Sequence, residues 1–173
     1  MNEGHIGTTL LQRAKAILLQ PRQEWPIIEG EAASIASIYK SYIIPLAAIG
    51  PVAGFIHAVL FGNSFFGITH RPSFLSALST AVVSYIFTLI GVFLMALVID
   101  FLAPRFGGTA NRTNAFKLAA YSATAAWVAG AFQLVPGLGM LTVLGLYGLY
   151  LLYVGIPVMM KAPEDKAVIY TVA

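Results

Sequence analysis

Apolar residues fill this chain in four long stretches, separated by short polar or glycine-proline punctuation, and a shorter helix-periodic pattern precedes them. In that first pattern Leu10, Leu11, Ala14, Ile17 and Leu18 recur at the three-and-four spacing of one helix face. Thr9 followed by Gln12 has the spacing of a capping box, and Pro21 ends the pattern. Arg13 and Lys15 lie off the apolar face, so the pattern predicts a short basic amphipathic helix. Such a helix lies on a membrane surface or docks on the protein's own helices. Trp25 follows, and an indole favours the headgroup zone.

A helix that spans a bilayer needs about 20 predominantly apolar residues. Four runs qualify, at about 42–62, 77–103, 115–135 and 140–160. They predict an all-α integral membrane protein with an amphipathic N-terminal segment over 1–41, a polytopic domain over 42–160 and a tail over 161–173. Pro51 cannot donate a backbone hydrogen bond, so a kink is expected there in the first span. The second span is longer than a straight crossing requires and is expected to tilt or project. Pro136-Gly137-Leu138-Gly139 reads as a tight turn.

Composition sharpens this reading. The 173 residues are 58% hydrophobic and 10% charged, far from a soluble domain. The net charge of +3 is spread singly between apolar runs, which excludes a nucleic-acid binder. The absence of cysteine removes disulfides and thiolate metal sites. Of the ten basic residues, Arg71 alone falls in the loop after span one; the other nine fall before span one, between spans two and three, or in the tail. The positive-inside rule then puts both termini in the cytoplasm.

Candidate chemistry is sparse. Ser122, Ala126 and Gly130, four apart on span three, offer a small-residue face to Gly145, Gly148 and Gly155 on span four. Tyr147, Tyr150 and Tyr153 fall on the opposite side of span four, bonded to neighbouring polar groups or lining a wet cavity with Asp100, Tyr121 and Gln133. Asp100 is expected to pair with Arg105 or another basic residue at the cytoplasmic interface, and His57 to be an interfacial polar residue. His70-Arg71 beside Phe65 and Phe66 reads as a solvated turn with aromatic anchors, Arg105-Phe-Gly-Gly-Thr109 as a flexible turn, and Thr113 as the cap of span three. No nucleophile–base pair, metal-ligand cluster or cofactor motif is evident, so no enzyme activity, metal or cofactor is expected.

Phe116-Lys-Leu-Ala-Ala-Tyr-Ser122, Ala126-Trp-Val-Ala-Gly130, Leu134-Val-Pro-Gly-Leu-Gly139, Leu146-Tyr-Gly-Leu-Tyr150, Gly155-Ile-Pro157 and Lys161-Ala-Pro-Glu-Asp-Lys-Ala167 occur in that order, after a Pro21-Arg-Gln-Glu-Trp25 lead-in. The series resembles the bacterial branch of the Yip-domain (Ypt-interacting protein) family. The resemblance implies a polytopic helical membrane protein with a cytoplasmic N-terminus, in the bacterial inner membrane. Eukaryotic relatives bind Rab-type GTPases. Their acidic-glycine-proline signature is reduced here to Gly50-Pro51, which argues against carrying that role over. The family usually has five spans, so Val168–Ala173 reads as a tail or as the opening of a fifth.

The function expected from these features is a non-catalytic scaffold or adaptor. It would hold a protein partner or anionic lipid through Arg13, Lys15, Arg22, Trp25, Arg105 and Arg112, in contact with the bilayer and open to homo-oligomer formation. The rival expectation is a small-solute permease or channel lined by Asp100, Tyr121, Gln133, Tyr147, Tyr150 and Tyr153.

Overall fold

The computed structural model describes residues 9–65 and 68–173, with side chains left out over 63–69. Phe66 therefore lies outside the described residues, as does the side chain of Phe65. The described residues are helical apart from one small hairpin and the short connections, and three helical runs among them are long and apolar enough to cross a membrane: Ile35–Leu60, Phe74–Phe106 and Gly139–Met160.

Helix α1 covers Leu10–Leu19. Its capping box is formed: Gln12 N–H donates to Thr9 Oγ1 at 3.3 Å and Thr9 N–H donates to Gln12 Oε1 at 3.0 Å. Pro21 then opens α2, Pro21–Gly30, at the position where a missing N–H costs nothing. The long run α3, Ile35–Leu60, is not uniform. It carries a π-helical segment at Tyr39–Ile43, a short α-helix at Ile44–Ala47, and resumes at Ile49–Leu60. Pro45 and Pro51 leave the carbonyls of Ser41 and Ala47 without their helical donors, which accounts for the irregular stretch between them. The break at Ala48 sits one turn before Pro51, where the sequence places a kink.

Strands β1 (Asn63–Phe65) and β2 (Ile68–His70) form an antiparallel hairpin, with Asn63 opposite His70. Ser73 caps α4, Phe74–Leu102, by accepting from Ser76 N–H at 3.2 Å. At 29 residues α4 is about 44 Å long, against a hydrocarbon core of about 30 Å. A 3₁₀ turn extends it to Phe106. Helix α5, Arg112–Ala129, continues as a 3₁₀ turn to Leu134. Its cap is Asn111, whose Oδ1 accepts from Asn114 N–H at 3.0 Å, and not Thr113, which lies inside the first turn. The turn at Pro136-Gly137 has Gly137 at φ +84° and Leu138 N–H donating to the Val135 carbonyl at 3.1 Å. This is the type II geometry that proline and glycine favour.

Helix α6 begins as a 3₁₀ helix at Gly139–Leu146 and becomes α-helical over Tyr147–Met160. Helix α7, Glu164–Val172, closes the chain and continues the tail as helix. The core is centred on α5. Residues 115–120 are all buried, and α5 packs on α3, α4, α6 and α1. Helix α5 is the third predicted span. It is less apolar than the other three runs, and most of it is buried by protein. The buried positions include Lys117, Ser122 and Thr124, polar groups that protein neighbours can satisfy, while Arg112, Ala126 and Val128 stay exposed.

Candidate functional site

At the end of the bundle that carries both α1 and α7, the α1–α2 hairpin is held by buried charge. Arg13 is 8% exposed and donates from Nη1 to Glu24 and from Nη2 to Glu31, a fork spanning both ends of α2. Burial alone would lower the Arg13 pKa; the carboxylates of Glu31 and Glu24 outweigh it and hold the guanidinium above its ordinary value. Lys117, only 3% exposed, reaches from α5 to the last carbonyls of α2. Its ammonium donates to Ile28 O at 2.7 Å and to Glu31 O at 2.6 Å. A cation there satisfies orphan carbonyls and meets the negative end of the helix dipole. Lys161 adds a pair with Glu29 at 3.1 Å.

The hairpin runs beside α6. Glu29 meets Lys161, Trp25 meets Gly155, and the Leu18 carbonyl accepts from Tyr147 Oη at 3.0 Å. From Lys161 back to Tyr147 is about 21 Å along a helix. The hairpin is thus a wedge against the protein's own helices, and only its outer face, with Leu11, Lys15 and Leu19, is exposed. Trp25 is fully buried. A side chain at Gly155 would put a Cβ 2.6 Å from Trp25 Cε2 and 2.5 Å from Leu118 Cδ1, so the missing Cβ makes the slot. Tyr121 stands edge-on to Trp25 at 6.4 Å and packs on Tyr42 at 4.5 Å. Tyr42 Oη and Thr124 Oγ1 share a hydrogen bond of 2.7 Å.

A family model for the Yip1 domain matches residues 15–173. The chain belongs to the Yip1-domain family. It is 27% identical over 156 residues to "Inner membrane protein YohC" of Escherichia coli (strain K12), covering 87% of this chain and 80% of that one. The protein of the same name from Escherichia coli O6:H1 (strain CFT073) matches to the same extent. No solved structure matches. Placing this Yip1-domain chain in a membrane agrees with its three long apolar runs and with the inner-membrane relatives.

The predicted partner face divides. Lys15, Arg22, Arg105 and Arg112 are exposed. Arg13 and Trp25 are not, and leave that set: one is consumed by Glu24 and Glu31, the other by the Gly155 slot. Arg105 does not pair with Asp100; its guanidinium lies 4.4 Å over the Phe101 ring, one residue along the helix from Asp100. Asp100 keeps a buried Oδ1 with no partner among the described residues. It lies near Tyr170, which donates to the Ile99 carbonyl and whose pKa is raised, first by burial and then by Asp100. The Arg105–Thr109 turn is docked and not free: Thr109 N–H donates to the Met160 carbonyl at 2.7 Å.

The small-residue positions also divide. Gly145 lies against Ala126 and Gly148 against the Ser122 carbonyl, with Cβ positions at 3.0 and 2.7 Å. Gly130 turns away to Gly50 on α3 at 2.8 Å, while Gly155 takes Trp25. The six residues of the predicted polar lining stand in different surroundings. Tyr121 is inside the aromatic stack; Tyr147 and Tyr150 pack on each other at 5.3 Å; Tyr153 is partly exposed; Asp100 is on α4. Gln133 lines a cleft. The Arg13–Glu24–Glu31 fork and the Lys117 anchor escape sequence reasoning because each joins residues distant in the chain. The one local signal is a Glu beside Trp25 in a segment that also packs.

Proposed function

We propose that this Yip1-domain protein is a non-catalytic scaffold that presents a basic cytoplasmic face to a protein partner or to anionic lipid. The observation that carries the reading is the sorting of charge. Glu24, Glu29 and Glu31 are engaged internally by Arg13 and Lys161. Lys15, Arg22, Lys40, Arg105, Arg112 and Lys166 stay exposed, opposed on the surface by Glu164 and Asp165. Internal pairing of acids leaves an outward excess of cations, each worth about 1 kcal/mol near an anionic membrane surface. In the proposed topology α5 is a fourth span, both termini are cytoplasmic, and the exposed Leu11 and Leu19 of α1 flank Lys15 at the membrane interface.

The test is charge reversal at Arg22, Arg105 and Arg112, followed by extraction in native nanodiscs and mass spectrometry of retained proteins and lipids. The wild type retains a specific protein or an enrichment of anionic lipid, and the triple variant loses it at equal yield. Identical retention by both proteins would remove the basis of the reading.

A further inference from the structure

A second site lies at the opposite end of the membrane domain from the charged hairpin. Between α3, α4 and the 3₁₀ end of α5 lies an open cleft of about 670 Å³. Its long wall is α4, which contributes Ser76, Thr80, Ser84 and Thr88 at intervals of four residues. From Ser76 to Thr88 the row is about 18 Å long. His70 and Pro72 stand at one end, next to the β-hairpin, and Ala47 and Trp127 at the other. Gln133 faces it from the end of α5, held close to α3 because Gly54 has no side chain; a Cβ there would lie 3.2 Å from Gln133 Oε1.

The polar lining sets this cleft apart from a purely apolar groove. Thr80 and Thr88 donate to the Ser76 and Ser84 carbonyls, each at 2.9 Å, so their oxygens keep lone pairs for another donor. Gln133 also lines an adjoining hollow of about 400 Å³ with His57, whose buried Nδ1 has no partner among the described residues. The Gln133 amide and the His57 imidazole, facing hydrocarbon, would forfeit hydrogen bonds at a cost of several kcal/mol, and the hydroxyls beside them, already donating along the helix, offer acceptors. Water or a polar ligand removes that cost. The lining contains no carboxylate, lysine or arginine, so it selects for no net charge. A lining that combines hydroxyl and amide groups with the aromatic residues Phe55 and Trp127 suits a polyol or sugar, which has hydroxyls around its rim and C–H faces. The volume is within the range of small-molecule sites.

We propose that this cleft is hydrated and binds a neutral polyhydroxylated ligand, either a free sugar or polyol or the sugar head of a lipid. The chain has no cysteine, so single cysteines report without background. Ser76→Cys, Thr80→Cys, Ser84→Cys and Thr88→Cys would be compared in nanodiscs with Val82→Cys and Ile86→Cys, exposed on the side of α4 opposite the row. The reagent is a charged methanethiosulfonate, and both membrane faces are exposed to it, so the result does not depend on the proposed topology or on the scaffold reading. A thiol in water ionises and one in lipid does not, so Thr80→Cys and Ser84→Cys should react at least about tenfold faster than the two controls. Glucose in solution, or monoglucosyl diacylglycerol in the bilayer, should then slow the reaction at Ser84→Cys. Slowing by the first alone identifies a free solute, and slowing by the second alone a lipid head. Reaction no faster than at the controls would overturn the hydrated cleft, and reaction unaffected by either compound would overturn the ligand.

Discussion

Arg13→Met removes the fork that ties α1 to both ends of α2. The side chains of Arg13 and Glu24 are 9% and 11% exposed, so the substitution leaves Glu24 facing protein without its counter-ion. Breaking a buried pair from one side costs about 3–5 kcal/mol. Glu31, at 30% exposure, can rehydrate and adds little. Taking about 3 kcal/mol for the local loss, and about 1.4 kcal/mol per factor of ten, the open hairpin becomes about 100-fold more populated. Hydrogen exchange of the protein in nanodiscs, read on peptides from α1 and α2, should accelerate by that order, while peptides from α5 keep their protection. The companion variant Arg13→Met with Glu24→Leu replaces the pair by apolar groups and should regain most of the protection. Unchanged exchange in the single variant, or a double variant no better than the single, would refute the claim that this pair anchors the hairpin.

Three further substitutions probe the same assembly. Gly155→Leu fills the Trp25 slot; in a Trp127→Phe background, Trp25 emission should shift to the red and become accessible to a soluble quencher. Lys117→Met removes the charged donor to the Ile28 and Glu31 carbonyls; at about 1.5–3 kcal/mol for a hydrogen bond to a charged group, limited proteolysis should cut near residue 30 markedly faster. Tyr42→Phe strands the fully buried Thr124 hydroxyl and should cost about 1–3 kcal/mol in thermal stability, most of it recovered by adding Thr124→Val.

The long apolar runs were legible in the sequence because a bilayer imposes length and composition on any helix that crosses it. Local signals were legible for the same kind of reason. The Thr9–Gln12 capping box and the Pro136-Gly137 turn each depend on residues within three positions of one another. Asp100 and Trp25 show where local rules stop. An aspartate five residues before an arginine on a helix end suggests a pair, yet Phe101 offers the guanidinium a ring face. An indole after an amphipathic helix suggests a headgroup anchor, yet Gly155, 130 positions later, provides a slot that excludes it from the surface. Arg13 counts as one more surface cation until Glu24 and Glu31, 11 and 18 residues away, are brought round by the turn at Pro21. The hydroxyl row at 76, 80, 84 and 88 was open to reading from its spacing alone. What gives it meaning is the opposite wall, Gln133 and Trp127, contributed by α5.

The measurement closest to the central claim is photo-crosslinking in native membranes, with a photoreactive residue placed in turn at Arg22, Arg105 and Trp25. The exposed positions Arg22 and Arg105 should capture the same foreign protein or anionic lipid, while the buried position Trp25 yields only intramolecular adducts to α5 or α6. Foreign adducts at Trp25, or nothing but bulk lipid and self-adducts at Arg22 and Arg105, would contradict the account of a docked hairpin beneath a basic, partner-holding face.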